Sequence, residues 1–279
     1  MAKSKRIPVA LTIAGSDPSG GAGIQADLKT FHQFGVYGEA VITMVTVQNT
    51  VAFERVEYLN PGLVADQIRA VTSDIPPAAA KTGALGNREI IEAVADLGRS
   101  FGFPIVVDPV LVSKQGGALL SRDAVETLTT RLIPLAHLLT PNLPEAELLT
   151  GIPVRDLAGM RSAAERLLGM GPRAVLIKGG HLSESASDLL VYERGSVEFP
   201  AARIETRHTH GTGCTFSAAI TALLARGFEL EDAIGAAKEF IARAIRTNPG
   251  LGAGWGPLNH HAPAFSNRPD PPASAAPEE

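Results

Sequence analysis

Short apolar runs alternate along the chain with longer segments in which apolar residues recur at helical spacing. The run VALTIA at 9–14 has the length and composition of a buried strand. After a glycine-rich turn, Ile24, Leu28 and Phe31 recur at the spacing that places them on one face of a helix. Strands that alternate with helices predict βαβ units, and therefore an α/β fold with a mainly parallel sheet and helices on both faces.

The same alternation continues to about residue 247. We predict strands at 9–14, 40–47, 78–81, 104–109, 135–140 and 174–178, and a hairpin at 188–200 with Gly195 at its turn. We predict helices near 22–34, 61–73, 87–100, 121–131, 143–149, 156–169, 212–225 and 231–247. Residues 262–279 are rich in Pro, Ala, Ser and charge, so we expect a disordered tail after a single domain at 1–261.

Composition narrows the possible partners. The 279 residues are 45% hydrophobic, enough for a large core, and carry a formal net charge of −4. This acidic balance argues against a nucleic-acid or anionic-membrane partner, because either would favour a basic surface. No apolar run in the sequence is long enough to span a bilayer. Cys214 is the single cysteine and cannot form an internal disulfide, so we expect a cytoplasmic protein.

Polar and small residues follow the predicted strands. In an open α/β sheet, ligands bind beyond the carboxyl ends of the strands, so these residues are candidates for a site. They are GSDPSGGAG at 15–23, Gln48, Asp108, Asn142 with Glu145, Lys178, and THGTGC at 209–214. Hydroxyls, amides, carboxylates and a lysine at one edge are typical of a site for a phosphate-bearing ligand and a metal ion.

The last of these segments opens a predicted helix. In Gly211, Thr212, Gly213 and Cys214, glycines allow close approach of the backbone, and free N–H groups at a helix start attract anions. We interpret the segment as an anion hole that stabilises a transferring phosphoryl group. An ordinary helix cap, with Thr212 as the N-cap, is the alternative. We expect the thiol pKa of Cys214 to be lowered at this position.

Two carboxylates and a lysine stand at neighbouring strand ends. Mg²⁺ needs only one or two protein carboxylates, which Asp108 and Glu145 would supply. Alternatively, Glu145 is a first-turn acid of a helix that Asn142 caps. Lys178 would contact a phosphate or pair with one of the carboxylates.

Four further polar residues are ambiguous on sequence grounds. Asp27 lies off the apolar stripe of the first helix and by itself would be a solvated surface charge. Gln48 ends an apolar strand, and its amide offers the donor and acceptor that a pyrimidine edge needs. His208 and His210 lie in the loop near the phosphate edge, and we assign neither a catalytic role.

Six motifs together closely resemble the hydroxymethylpyrimidine/phosphomethylpyrimidine kinases of thiamine biosynthesis, members of the ribokinase-like superfamily. The resemblance runs from about Ile7 to about His261. The motifs are GSDPSGGAGIQADLKTF (15–31), VTVQNT (45–50), VVDPVLVSKQG (106–116), TPNLPEAELL (140–149), KGGH (178–181) and THGTGCTFSAA (209–219).

The resemblance implies a three-layer α/β/α kinase that uses ATP and Mg²⁺. Such a kinase phosphorylates hydroxymethylpyrimidine and then the resulting monophosphate, and relatives are commonly homodimers. The implied acceptor site contains Gly15, Asp27, Gln48, Val110 and Cys214, with Ala84 where relatives usually have a larger Met. The implied metal and phosphate residues are Asp108 and Glu145 for the metal, Asn142, Lys178, Thr212 and Gly213 for ATP, and Lys178 with Gly211 to Cys214 for catalysis.

Three other functions are weighed against this one. A pyridoxal kinase on the same scaffold is the nearest, and Gln48 favours the pyrimidine. A dinucleotide-dependent oxidoreductase is suggested by GAGIQA at 21–26, which fits G-x-G-x-x-A. That motif needs an acid at the end of the second strand, where Gln48 stands instead. A non-enzymatic binding module would leave Asp108, Glu145 and Lys178 unexplained.

Overall fold

The structure is a computed structural model that describes residues 7–111, 120–180 and 186–265. The later part of the predicted motif at 106–116, and His181 of KGGH, lie outside the described residues. No helix among the described residues is both long and apolar enough to cross a membrane.

The strands form one continuous sheet. Their bounds are β1 (Val9–Ser16), β2 (Tyr37–Gln48), β3 (Phe53–Tyr58), β4 (Ala79–Thr82), β5 (Ile105–Val107), β6 (Leu138–Leu139), β7 (Ala174–Ile177), β8 (Asp188–Tyr192) and β9 (Gly195–Phe199). The strand order is β3-β2-β1-β4-β5-β6-β7-β8-β9. The strands from β2 through β1 to β7 run parallel, whereas β3, β8 and β9 pair antiparallel at the two edges. The predicted mainly parallel sheet is confirmed.

Helices cover both faces of this sheet. Their bounds are α1 (Gly23–Gln33), α2 (Pro61–Asp74), α3 (Arg88–Gly98), α4 (Arg122–Thr127), α5 (Leu143–Thr150), α6 (Leu157–Leu168), α7 (Thr212–Ala225) and α8 (Leu230–Arg246). Helix α4 continues into a π-helical turn at Leu128–Leu132 and a 3₁₀ turn at Ile133–Leu135. Helices α2 to α6 pack on one face, and α1, α7 and α8 pack on the other.

The two cores arise from the alternation of side chains along the strands. In β1, Leu11 faces the core that contains Ile90 of α3. Its neighbour Ala10 faces the opposite core, with Phe31 of α1 and Phe240 of α8. Because successive strand residues point to opposite faces, one apolar run fills both layers of helices. The three-layer α/β/α architecture is confirmed.

The sequence pattern missed one described strand, β3. Its sequence, FERVEY, alternates charged and apolar residues, and none of its side chains is buried. It pairs with β2 alone, at the edge of the sheet. An edge strand that buries neither face does not need an apolar face, so its sequence lacks the apolar pattern that predicted the other strands. The predicted hairpin is present: Tyr192 pairs with Gly195, which has φ of +135° and follows the turn at Glu193 and Arg194.

The predicted disordered tail starts at residue 262, before the packed part of the chain ends. The Phe265 ring lies edge-on to Phe34, with centroids 5.6 Å apart, and Gln33 Nε2 donates to the Ala262 carbonyl at 2.8 Å. An aromatic side chain that packs on the second core holds this segment, which the polar composition of the stretch concealed. Residues 266–279, also assigned to the tail, lie outside the described residues.

Strand β2 buries a carboxylate without a described partner. Glu39 is 6% exposed, and neither of its carboxylate oxygens has a hydrogen-bond partner among the described residues. Burial, together with the nearby charge of Asp74, raises the pKa of Glu39 to about 7. The neutral acid is therefore favoured in the folded protein over a pH range in which an exposed glutamate is ionised.

We expect the variant Glu39→Gln to stabilise the protein at alkaline pH. The folded pKa lies above the unfolded one, so wild-type stability falls as pH rises from about 4.5 to about 7 and stays lower beyond it. Denaturant unfolding should show Glu39→Gln more stable by about 1–3 kcal/mol at pH 8, with a much smaller difference at pH 4.5. Glu54→Gln on the exposed face of β3 is the control. An equal effect of Glu39→Gln at both pH values would contradict the assignment.

Candidate active site

A cavity of about 860 Å³ lies at the carboxyl ends of the parallel strands. The carboxyl ends of parallel strands meet at one edge of the sheet, so residues far apart in sequence converge there. All the predicted site residues except Asp27 line this cavity. They are Gly15, Gln48, Ala84, Asp108, Val110, Asn142, Glu145, Lys178, Gly211, Thr212, Gly213 and Cys214.

Helix α7 points its first turn into the cavity. Gly211 is the N-cap, with φ of +79°, and Thr212 is the first helical residue. Thr212 was the alternative N-cap on sequence grounds, but its hydroxyl donates to the Thr209 carbonyl at 2.8 Å instead of accepting from the helix. Gly213 and Cys214 belong to the first turn, whose N–H groups the helix itself does not satisfy. These groups, together with the helix dipole, favour an anion.

A lysine and a carboxylate lie beside this helix start. Lys178 Nζ is 2.8 Å from Asp108 Oδ1. A Cβ atom on Gly213 would lie 3.5 Å from Lys178 Nζ and 3.7 Å from Asp108 Oδ2, so the pair sits directly against the first turn of α7. Burial would raise the pKa of Asp108, but the charges of Lys178 and Lys81 hold it below its ordinary value. Pairing of Lys178 with a carboxylate, one of the two roles considered, is therefore observed.

Glu145 and Asn142 form a reciprocal cap at the start of α5. The Asn142 side-chain oxygen accepts from the Glu145 backbone N–H at 2.9 Å, and Glu145 Oε2 accepts from the Asn142 N–H at 2.8 Å. The capping role is confirmed, although both residues also line the cavity. Burial raises the pKa of Glu145 to about 7 against the opposing charge of Lys178, and the charge of Asp108 adds to the rise.

The thiol pKa of Cys214 shifts in the direction opposite to the one that its position in the first turn of the helix predicts. Burial raises its pKa to about 11, although the charge of Lys81 and the Gly23 N–H lower it. The carboxylates of Asp27 and Asp108 add to the rise. The predicted lowering is therefore wrong, because the cost of removing a thiolate from water exceeds the benefit of the helix start.

Asp27 lies beneath the cavity. Its side chain is fully buried, accepts from Lys81 Nζ at 2.8 Å and from Thr12 Oγ1 at 2.7 Å, and does not line the cavity. The interpretation as a solvated surface charge is wrong, and direct contact of this side chain with the acceptor ring is not supported. Lys81 is the signal that sequence reasoning overlooked, because a lysine within the buried strand AAKT requires a buried acid nearby.

Two further residues at this edge received no role on sequence grounds. Asp17 Oδ1 accepts from the Ser19 N–H at 2.9 Å, and Asp17 Oδ2 accepts from the Ala22 N–H at 2.8 Å. His210 Nε2 lies 2.9 Å from the same Oδ2. Burial would raise the pKa of Asp17, but hydrogen bonds from His210 and Ser19 hold it below its ordinary value. An ionised carboxylate thus occupies the N–H groups that a dinucleotide pyrophosphate would need, which disfavours the oxidoreductase.

The two ends of the cavity differ in chemistry. One end is built by β1, β2, β3 and the segments that follow β4 and β5. It combines apolar walls with one amide, and its residues are Gly15, Met44, Gln48, Phe53, Ala84 and Val110. The other end lies against α8, where Ile241, Ala242 and Ile245 provide an apolar surface. The helix start of α7 and the Asp108–Lys178 pair line the same cavity, so it can hold two ligands with their reacting groups near an anion hole.

Comparison with known proteins agrees with this arrangement. A family model described as phosphomethylpyrimidine kinase matches residues 17–259. The hydroxymethylpyrimidine/phosphomethylpyrimidine kinase of Haemophilus influenzae is 48% identical over 90% of this chain and 96% of its own length. The thiamine biosynthesis bifunctional protein ThiED of Geobacter sulfurreducens is 50% identical over 90% of this chain, which spans about half, 51%, of that protein.

Solved structures show the same fold. A pyridoxal kinase of Bacillus subtilis, in complex with ADP, has a TM-score of 0.85 at 38% identity, covering 92% of this chain and 98% of its own. A phosphomethylpyrimidine kinase of Clostridium difficile has a TM-score of 0.77 at 45% identity, covering 85% of this chain and 99% of its own. The chain therefore belongs to the phosphomethylpyrimidine kinase family, and its fold is that of the ribokinase-like kinases.

Proposed function

We propose that this protein is an ATP-dependent kinase of thiamine biosynthesis. It phosphorylates 4-amino-5-hydroxymethyl-2-methylpyrimidine and then the resulting monophosphate, which yields the pyrophosphate. The observation that carries the proposal is the cavity in which the first turn of α7 lies against the Asp108–Lys178 pair, between an amide-bearing end and an apolar end. Phosphoryl transfer depends on positioning and charge stabilisation, which this arrangement provides.

The acceptor ring would bind at the amide-bearing end of the cavity. Gln48 offers its amide to the aminopyrimidine edge, and Gly15 and Val110 line the walls. A Cβ atom on Gly15 would lie 2.8 Å from Met44 Cγ, so a side chain there would intrude on the cavity. Ala84 leaves more room than the Met that relatives usually have. Asp27 would act on this end only indirectly, through the buried pair with Lys81.

ATP would place its base against α8 and its phosphates toward α7. Ile241, Ala242 and Ile245 provide the apolar surface for a purine, while Asn142 and Lys178 face the phosphate region. The ADP complex of the Bacillus subtilis pyridoxal kinase supports a nucleotide site on this scaffold.

Asp108 and Glu145 would hold Mg²⁺. The described residues contain no cluster of three or more His, Cys, Asp or Glu able to bind a metal. Two carboxylates in one cavity nevertheless suit Mg²⁺, which usually completes its octahedron with water and substrate phosphates. Bound there, the ion would neutralise phosphate charge. Lys178 would then exchange part of its bond with Asp108 for a phosphate oxygen.

The organisation of the protein is part of the proposal. We propose a single kinase domain over residues 1–261, which the single continuous sheet supports. We also propose a cytoplasmic homodimer. The exposed side chains of Val45 and Val47 on β2 and of Tyr58 on the edge strand β3 support an interface, and light scattering on the purified protein tests it.

Pyridoxal is the second candidate acceptor. The structural similarity to the Bacillus subtilis pyridoxal kinase extends over 92% of this chain, so the same scaffold accepts either ring. One experiment separates the two candidates. The protein is incubated with ATP and Mg²⁺ and with either hydroxymethylpyrimidine or pyridoxal, and the products are identified by mass. Phosphorylation of pyridoxal alone would overturn the pyrimidine assignment.

The first prediction for the site concerns ring choice. Replacing Gln48 by Met removes both the donor and the acceptor from the amide-bearing end, at about 1–3 kcal/mol for each polar group left unpaired. We expect kcat/KM for hydroxymethylpyrimidine to fall by about 10- to 100-fold, with pyridoxal turnover spared or improved. Steady-state kinetics with both acceptors measure this. Equal losses for the two rings would remove the discriminating role of Gln48.

The second prediction concerns the metal. We expect turnover to require a divalent ion and to fall at least about 100-fold in Asp108→Asn and strongly in Glu145→Gln, because each removes a negative oxygen ligand. Glu147→Gln, on the same helix but outside the cavity, should match wild type. Activity is measured against Mg²⁺ concentration, with circular dichroism as the check on folding. Full activity in excess chelator would refute the metal role.

The third prediction concerns Cys214. With its pKa raised to about 11 the thiol is protonated at neutral pH, so the backbone N–H matters more than the sulfur. We expect Cys214→Ser to retain measurable activity and Cys214→Ala to lose less than the roughly 100- to 10,000-fold of a missing general base. The pH–rate profile of wild type between pH 6 and 9 should contain no ionisation that either variant abolishes. Loss of such an ionisation in Cys214→Ser, together with nearly all activity, would identify the sulfur as the base.

A further inference from the structure

The carboxylate of Asp17 bonds to two separate glycine-rich loops. Its Oδ2 atom accepts from the backbone N–H groups of Gly21 at 3.2 Å and Ala22 at 2.8 Å, in the loop that precedes α1. The same oxygen lies 2.9 Å from His210 Nε2, in the loop that precedes α7. The carboxylate is 1% exposed, so water does not compete strongly for these bonds.

The hydrogen bonds determine which ring nitrogen of His210 carries the proton and how the residue is oriented. An ionised carboxylate can only accept a hydrogen bond, so Nε2 carries the proton. The ring is 4% exposed, and the backbone N–H of His210 donates to the Gly256 carbonyl at 3.1 Å. Backbone and side chain of this residue are therefore each held by a different part of the chain.

The two loops also touch without an intervening side chain. A Cβ atom on Gly211 would lie 1.8 Å from the Gly21 carbonyl oxygen, and one on Gly21 would lie 2.6 Å from His210 Cδ2. The Gly23 N–H, at the start of α1, reaches the side chain of Cys214 in the first turn of α7. The position of that first turn is thus defined relative to the loop that Asp17 organises.

We propose that Asp17 and His210 are positioning residues for phosphoryl transfer, acting as a latch that holds the first turn of α7 in the place where its N–H groups stabilise the transferred group. The latch rests on the proposed kinase function. Neither residue need exchange a proton with substrate, because the role of the pair is to hold the two loops together through the Nε2–H bond to Asp17.

Breaking the latch should affect turnover more than binding. Anion-hole donors act on charge that develops in the transition state, and a displacement of about 1 Å can cost about 100-fold in rate. The residues that we assign to the acceptor ring, such as Gln48 and Ala84, lie on other elements of the cavity. Binding of hydroxymethylpyrimidine should therefore survive a displaced helix start, whereas ATP, whose phosphates Thr212 and Gly213 would contact, should bind more weakly.

Two substitutions of His210 form a matched pair. Glutamine can place its amide nitrogen near the position of Nε2, and asparagine places it near the position of Nδ1, out of reach of Asp17. With hydroxymethylpyrimidine, ATP and Mg²⁺, we expect His210→Asn to lower kcat by about 10- to 100-fold, with KM for hydroxymethylpyrimidine within about threefold. We expect His210→Gln to recover most of the loss. Circular dichroism and thermal unfolding check that both variants fold.

A second measurement removes the acceptor of the same hydrogen bond. Asp17→Leu is close in size to aspartate and offers no acceptor to the Nε2–H. It should lose at least as much kcat as His210→Asn. In the double variant Asp17→Leu with His210→Asn, the two losses should not multiply, because both remove the same interaction. If His210→Asn alone fails to fold, Asp17→Leu tests the latch by itself.

The outcomes separate the latch from the kinase function. If wild type transfers no phosphate to either hydroxymethylpyrimidine or pyridoxal, the proposed function fails, and the latch fails with it. If wild type is active and His210→Asn and Asp17→Leu keep its kcat, the latch alone is overturned. If His210→Gln is as poor as His210→Asn, or if the losses multiply in the double variant, the ring acts otherwise than through Asp17.

Discussion

Two glycine-rich loops approach each other at the carboxyl edge of the sheet more closely than any side chain with a Cβ atom would permit. A Cβ on Gly211 would lie 1.8 Å from the Gly21 carbonyl oxygen, and Gly211 has the positive φ that favours glycine. Because α7 begins at the next residue, this contact sets the direction of its first N–H groups. The proposed stabilisation of a transferred phosphoryl group depends on that direction.

Two lysine–carboxylate pairs lie near the start of α7, one in the cavity and one more deeply buried. In the cavity, Lys178 pairs with Asp108 and remains available to an incoming phosphate. Below it, Lys81 pairs with Asp27 at 2.8 Å, fully buried. Burial alone would lower the pKa of Lys81, but the charges of Asp27, Cys214 and Asp108 raise it. In the proposed function the two lysines would place positive charge near the transferred phosphoryl group, while their carboxylate partners reduce the cost of burying them.

The scaffold alone does not select the ring that is phosphorylated. Structures of a pyridoxal kinase and of a phosphomethylpyrimidine kinase both superpose on this chain, with TM-scores of 0.85 and 0.77. The anion hole and its charges serve any hydroxymethyl acceptor equally well, so discrimination must come from the other end of the cavity. Gln48 and Ala84 line that end, and in the proposed function Gln48 would provide the polar contact and Ala84 the space.

The sequence by itself determined the order of elements, the sheet and the edge at which the site lies. Apolar periodicity and the residues that follow each strand are local properties, and they correctly brought Gly15, Asp108, Lys178 and Gly213 into one cavity. Only the tertiary structure decided which side chains are buried and what they meet. The partner of Asp27 is 54 residues away and that of Asp17 is 193 residues away, so neither could be found from spacing. The thiol pKa of Cys214 rises because partial burial and the nearby carboxylates of Asp27 and Asp108 disfavour the thiolate, an effect that its position at a helix start does not reveal.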